Sequence, residues 1–175
     1  TNEVSPELET FLQKYHSRIF AIPNLKHPVG QYREVCRILE AESYDIVYLN
    51  ISTAIDCIAA WAAKKKKVPR IFIHSHTSGN DCENPVKRMI FDSIHKFCRL
   101  SLYRAATEYY GCSEKAGLWM FPEKIVKSDR FQMIFNAVDL KKFTYSSAVR
   151  DDVRKELNLE NKFVVGHVGN FVYQK

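Results

Sequence analysis

The chain has 175 residues, and its 26 Lys and Arg against 20 Asp and Glu give a formal net charge of +6 at pH 7. Hydrophobic residues make up 46% of the sequence, which supplies a sizeable core and excludes wholesale disorder. No apolar run approaches the roughly 20 residues of a membrane-spanning helix, and the polar start shows no secretory signal. The basic balance permits an anionic partner without selecting nucleotide, nucleic acid or membrane.

Strand and helix patterns alternate along the chain. Short apolar runs predict strands at 18–23, 45–50, 70–74, 108–112, 131–135 and 163–168. Helical spacing and capping residues predict helices at 31–42, from Ser52 or Thr53 to the lysine run 64–67, from Asn84 and Pro85 to about residue 104, from Ser113 to Pro122, and at 151–157. This alternation with short connections predicts an α/β fold built on an open parallel sheet.

The composition becomes polar and charged over residues 136–162, which predicts a linker. Residues 1–135 would then form one domain. The strand predicted at 163–168 lies too close to the end to be followed by a crossover helix, so residues 163–175 are expected to begin a second domain. We therefore expect the chain to be a piece of a longer protein.

The five cysteines form no C-x-x-C pair, and most lie within apolar segments. This arrangement favours buried, reduced thiols in a cytoplasmic protein. A zinc site is the alternative, with Asp81 or Cys82 joining nearby histidines, but the spacing fits no standard zinc motif.

His74 and His76 lie at the carboxyl end of a predicted central strand. In open parallel sheets, ligands bind beyond these strand ends, so an imidazole there can bind or deprotonate a substrate hydroxyl. The alternative is that both histidines are ordinary polar loop residues.

Three further turns follow predicted strands. Ser113 begins a helix whose free amides can hold an anion or hydroxyl, although a plain N-cap serine is the simpler interpretation. Asn136 to Asp139 resembles an Asx turn, with Phe143 as an aromatic anchor. The loop 166–170, with Lys175 beyond it, has glycines that would let a diphosphate approach the backbone, although no P-loop or G-x-G-x-x-G sequence occurs.

Basic residues concentrate at 64–67 and on the long helix, where Arg88, His95 and Arg99 fall on one face. A solvated face is the default interpretation, and an anionic lipid surface is the alternative. No DNA- or RNA-binding motif occurs, so no nucleic-acid partner is expected.

Five segments, in the same order, resemble the motifs of glycosyltransferase family 4, whose members have the GT-B fold. They are YDIVYLN at 44–50, RIFIHSH at 70–76, GCSEKAG at 111–117, IFNAVD at 134–139 with Phe143, and VVGHVGNF at 164–171 with Gln174 and Lys175. The likeness covers nearly the whole chain. Five ordered motifs are more specific than any one of them.

The resemblance implies two Rossmann-like domains facing each other across a cleft, with this chain as the acceptor-side half of a truncated GT-B fold. It implies transfer of a sugar, with retention, from a nucleotide-sugar donor to a glycan or lipid-linked acceptor in surface-polysaccharide synthesis, without a metal or cofactor. Peripheral contact with the inner face of an anionic membrane is compatible with such an acceptor.

Residue by residue, the resemblance implies a catalytic role for His74 and acceptor binding by Asn50, His76 and Ser113. Donor phosphate would be bound by Gly169, Asn170 and Lys175. Asn170 stands where the family usually has an arginine, which puts donor affinity in question.

On this resemblance the sequence stops before the place of the family's Glu-x7-Glu donor motif, and the family's usual first strand does not precede Arg18, so we expect residues 1–175 alone not to transfer sugar. A missing central strand would leave an unpaired sheet edge, and we expect residues 163–168 or a strand of a second copy to cover it. Coverage by a second copy would give a homodimer. A non-catalytic glycan- or partner-binding module and another nucleotide-binding Rossmann protein are the alternatives. The lack of G-x-G-x-x-G argues against the latter.

Overall fold

The computed structural model describes residues 5–169, in which helices and strands largely alternate. Its elements are α1 (Pro6–Gln13), α2 (Pro28–Ala41), β1 (Ile46–Ile51), a 3-10 turn (Ala54–Asp56), α3 (Ile58–Lys65), β2 (Arg70–Ser75), α4 (Pro85–Leu102), β3 (Glu108–Gly111), α5 (Glu114–Met120), α6 (Glu123–Val126), β4 (Phe131–Met133), α7 (Leu140–Phe143) and α8 (Ser147–Glu156).

The four strands form one parallel sheet in the order β1-β2-β3-β4. The register places Asn50 opposite His74 and His74 opposite Tyr110, so the carboxyl ends of the strands meet at one edge. The α/β class is confirmed, and a parallel sheet flanked by helices is consistent with a Rossmann-like fold.

The core is centred on β2, which is buried from its second residue onward. Ile71 and Ile73 are at most 2% exposed and belong to one buried cluster with Tyr109, Leu102 and Phe121. Burial on both faces explains the nearly continuous apolar run of this strand. β1, by contrast, lies at the sheet edge and is nowhere fully buried.

Side-chain caps fix the starts of two helices next to the sheet edge. The side-chain Oδ1 of Asn84 accepts hydrogen bonds from the amides of Val86 and Lys87 at 3.1 and 3.0 Å, with Pro85 at the first helical position. Ser113 accepts one from the Ala116 amide at 3.1 Å. Both predicted caps are confirmed, because each supplies an acceptor to amides that lack a partner within the helix.

Two predicted strands are wrong. Neither 18–23 nor 163–168 is a strand, and Phe163 and Val165 are 95% and 85% exposed. A short apolar run becomes a strand only when a neighbouring strand pairs with its backbone, and the described residues supply none for these two segments. The expectation that 163–168 covers the edge of the sheet is therefore also wrong.

Most of the segment 136–162 is exposed and carries only the short helices α7 and α8. Asp139 caps α7 by accepting from the Lys141 amide at 3.1 Å. Phe143 is 75% exposed, so its predicted role as an aromatic anchor is wrong. Among residues 5–169, no helix is both long and apolar enough to cross a membrane.

Candidate functional site

The carboxyl edge of the sheet brings together three of the predicted site residues. Nε2 of His76 donates to Oδ1 of Asn50 at 2.9 Å, and the rings of His74 and His76 lie 4.0 Å apart between centroids. The parallel register explains this contact, because Asn50 faces His74 and a residue two positions along a strand returns to the same side. We call Tyr48, Asn50, His74, His76 and Tyr110 the histidine cluster.

His74 is the most buried member of this cluster, at 4% exposure, and Tyr110 is buried as well. The Tyr48 hydroxyl lies 2.6 Å from its Nδ1, whereas its Nε2 is buried and makes no hydrogen bond of good geometry. Burial lowers the pKa of His74 and the nearby His76 lowers it further, while the backbone of Ile134 partly opposes the change. These effects favour the neutral form of His74, and its Nε2 is available only to a group that displaces the atoms covering it.

Tyr110 lies against both Tyr48 and His74 in the cluster. Its ring stacks on Tyr48 at 6.2 Å between centroids, and its hydroxyl donates to Glu108 at 2.5 Å. That hydrogen bond, more than burial, raises the pKa of Tyr110 to about 12. Arg70 holds the same carboxylate in an ion pair at 2.8 Å.

Sequence reasoning missed both tyrosines of the cluster. The signal was the two-residue period of a strand, because Tyr48 lies two positions before Asn50 on β1 and Tyr110 lies opposite His74 on β3.

Ser113 follows the neighbouring strand β3 at the same edge of the sheet. The Cys112 amide donates to the Ser75 carbonyl at 3.0 Å, which ties this turn to the end of β2. The hydroxyl of Ser113 is engaged as the cap of α5. Helix α5, which this turn begins, requires glycine at position 117, because a Cβ there would lie 2.5 Å from Cζ of Phe131.

The predicted phosphate-binding residues are not brought to the histidine cluster by any described contact. Gly169 is exposed, and Asn170 and Lys175 lie outside the described residues. The lysine run lies at the end of α3, where Nζ of Lys64 donates to the Arg104 carbonyl at 2.5 Å.

The predicted solvated face of Arg88, His95 and Arg99 is wrong, because this side of α4 turns towards the protein. His95 is 2% exposed and packs against the 3-10 turn, and Arg99 donates to the Phe121 carbonyl. The sequence of α4 is amphipathic, but the polar side is the one that faces the protein, so the usual rule that the apolar side is covered fails here. Large apolar side chains instead face solvent, among them Met89, Phe97 and Leu100 at 64%, 77% and 64% exposure.

His95 joins three segments of the chain. Its Nδ1 accepts from the Ala54 amide at 3.1 Å, its Nε2 donates to the Trp119 carbonyl at 2.9 Å, and its ring stacks on Trp119 at 3.9 Å between centroids. Because the Ala54 amide can only donate, Nδ1 carries no proton. The single ring proton then lies on Nε2, and the ring is neutral. Burial is the main reason that the pKa of His95 is lowered.

A pocket of about 220 Å³ opens beside the histidine cluster. Its walls come from the residues after β1, the loop after β2, and helices α4 and α5; they include Thr53, Thr77, Asn80, Asp81, Phe91 and Trp119. Nothing in the sequence alone predicted this pocket, because its residues come from four segments. Among residues 5–169, no three or more His, Cys, Asp or Glu side chains are grouped to hold a metal ion.

Comparison with known proteins gives one informative similarity. Over 162 residues, the chain is 24% identical to a protein of Bacillus subtilis (strain 168) named "Putative glycosyltransferase EpsF". The match covers 88% of this chain but only 40% of that protein, so the chain spans well under half of its relative's length. No family model matches the chain.

Proposed function

We propose that this chain is the acceptor-side part of a retaining glycosyltransferase of the GT-B type. In this proposal the enzyme transfers a sugar from a nucleotide-sugar donor to a glycan or lipid-linked acceptor during surface-polysaccharide synthesis. The main support is the histidine cluster at the carboxyl edge of a parallel sheet, where such folds bind ligands. The similarity to a protein named as a glycosyltransferase supports the same class.

The proposed roles follow from the accessibility of each group. His76 and Asn50 are exposed and would first meet the acceptor, together with the turn at Ser113. If Tyr48 donates to Nδ1 of His74, the proton of His74 lies on Nε2 and can be donated to a sugar hydroxyl. His74 would then orient the acceptor and the reacting sugar once substrate displaces the atoms over Nε2.

The donor side of the proposal rests on the predicted domain division. Residues 1–135 would form the acceptor-side domain, 136–162 the linker, and 163–175 the start of the donor-side domain. The backbone at Gly169, with Asn170 and Lys175, would stabilise the charge that develops on the departing diphosphate. Residues 1–175 alone would therefore lack a complete donor site and would not turn over.

The test uses the natural protein incubated with UDP- and GDP-linked hexoses and a glycan acceptor, with release of nucleoside diphosphate as the readout. We expect His76→Ala, and His74→Ala if circular dichroism shows it folded, to lower kcat/KM by roughly 100-fold through lost positioning. His27→Ala is the matched control, because His27 is exposed and lies outside the cluster. Wild-type turnover in both cluster variants would remove these residues from the mechanism.

A glycan-binding module without transfer activity is the second candidate, and the pocket beside the cluster favours it because no Lys or Arg lines it. The same assay separates the two candidates. A protein that binds glycan but turns over no nucleotide sugar is a binding module.

Peripheral membrane contact is proposed from α4. Its outward apolar residues are flanked by Lys87 and Lys96, which are exposed, so an anionic lipid surface would match both the apolar and the charged parts. A homodimer is also proposed, because β1 lies at the edge of the sheet and its outer side is open to a second copy. Light scattering that gives only the monomer mass at micromolar concentration would refute the dimer.

A further inference from the structure

A single backbone oxygen joins the segments that line the pocket beside the histidine cluster. The carbonyl of Ser52 accepts from the Thr77 hydroxyl at 2.8 Å and from Nε1 of Trp119 at 3.1 Å. The segment after β1, the loop after β2 and helix α5 therefore converge on one atom. Their walls are fixed before any ligand arrives, which lowers the entropy that binding must overcome.

The lining of the pocket selects the chemistry of its ligand. Trp119 and Phe91 supply aromatic surface, whereas hydroxyls and the carboxylate of Asp81 supply hydrogen-bonding groups. No Lys or Arg lines it, and His95 at its base is neutral. A phosphate would meet a carboxylate with no cation to offset it, so the site disfavours anions.

Asp81 is the group in this lining that is free to accept from a ligand. Its carboxylate makes no hydrogen bond within the described part of the chain, and the residue is exposed. The amide of Asn80, by contrast, is already engaged with Asp92 at 3.2 Å and with the Cys82 amide at 2.9 Å. A carboxylate can accept from two adjacent hydroxyls at once, while an aromatic ring covers the apolar face of a sugar.

The pocket is too small for a drug-sized ligand, for which sites measure roughly 300–1,000 Å³. At about 220 Å³ it suits one ring-sized group. The pocket also adjoins the histidine cluster. Asn50 and His76 form one contact between the ends of β1 and β2, and the next contact between the same two segments joins Ser52 and Thr77 at the pocket.

We propose that this pocket binds one uncharged sugar ring of the acceptor glycan, with Asp81 accepting hydrogen bonds from its hydroxyls and Trp119 and Phe91 covering its apolar face. The identification of this sugar as part of an acceptor rests on the proposed function. The binding of a sugar ring rests on the pocket alone. It places any phosphate of a lipid-linked acceptor outside this pocket.

The test is saturation-transfer NMR on the natural protein with methyl glycosides of glucose, galactose, mannose and N-acetylglucosamine. Glucose 1-phosphate and glucosamine are the anionic and cationic comparisons. We expect saturation of at least one uncharged glycoside, and about tenfold weaker binding in Asp81→Asn, which loses a charge-assisted hydrogen bond. Phe91→Ala should weaken the same ligand, and Asp129→Asn, an exposed carboxylate outside the pocket, should not.

The outcomes separate this proposal from the proposed function. Binding of no uncharged glycoside, preference for the phosphate or the amine, or unchanged affinity in Asp81→Asn would each overturn the pocket assignment. Glycoside binding that is lost in Asp81→Asn, in a protein without transferase turnover, supports the pocket and refutes the enzyme. Turnover with an acceptor KM that Asp81→Asn leaves unchanged supports the enzyme and overturns the pocket.

Discussion

Replacing His95 with phenylalanine is expected to destabilise the fold strongly although the helix and the aromatic stack remain. The substitution leaves the Ala54 amide and the Trp119 carbonyl without their partner, and Ala54 is completely buried. Each orphaned group costs about 1–3 kcal/mol. The new ring keeps much of its stacking on Trp119, so we expect a net loss of about 2–5 kcal/mol in the free energy of unfolding.

The measurement is urea unfolding of the 175-residue chain at pH 7.5, followed by circular dichroism. A loss of this size is a large fraction of the roughly 5–15 kcal/mol by which domains are stable. The matched variant is His95→Gln, whose amide offers one acceptor and one donor and should cost clearly less than the phenylalanine. A free energy of unfolding for His95→Phe within about 0.5 kcal/mol of wild type would refute the assigned hydrogen bonds.

Three further changes test other parts of the structure. Because the pKa of His95 is lowered in the folded protein, the unfolded state takes up the proton first as the pH falls. The contribution of His95 to stability is therefore complete above the usual pKa of 6.5 and is lost below it, so His95→Gln should make the decline in stability from pH 7.5 to 5 shallower. Gly117→Ala should destabilise by about 1–2 kcal/mol in the same urea assay, because its Cβ would meet Phe131 at 2.5 Å. Phe97→Ser on the outward face of α4 should weaken co-sedimentation with anionic vesicles, and salt should weaken it further.

Each of these changes has a control in the same chain. His27→Gln, at an exposed histidine, should leave the wild-type pH profile in place, and an identical profile for His95→Gln would contradict the first prediction. Gly30→Ala, in helix α2 with no atom closer than 3.6 Å to the new Cβ, should stabilise by about 0.5–1 kcal/mol, and the same gain at Gly117 would contradict the clash. Val149→Ser, on α8 and 62% exposed, should leave vesicle binding unchanged, and equal binding by Phe97→Ser would exclude α4 as the contact.

Elements specified by local sequence were predicted well. The caps at Asn84 and Ser113 and the apolar run of β2 need only neighbouring residues to be recognised, and the structure confirms all three. The apolar runs at 18–23 and 163–168 carry the same local signal, yet neither forms a strand. The difference is a pairing partner elsewhere in the chain, and local periodicity contains no information about it.

The candidate site was predicted only in part for a related reason. The carboxyl-edge rule placed His74 and His76 at a strand end and the family resemblance added Asn50, and the structure brings these three side chains into contact. The support from Tyr48 and the burial of His95 depend on which faces of the strand and of α4 turn inward. An amphipathic pattern is normally interpreted with its apolar side turned inward, whereas in α4 the polar side that carries Arg88, His95 and Arg99 faces the protein.

The double hydrogen bond at the Ser52 carbonyl has a consequence for evolution. Every residue type carries a backbone carbonyl, so the junction of the three segments does not depend on which side chain stands at position 52. The two donors have no such freedom, since only a hydroxyl at 77 and an indole at 119 reach that oxygen in the same way. Substitutions tolerated through drift should therefore accumulate at Ser52 and be purged at Thr77 and Trp119.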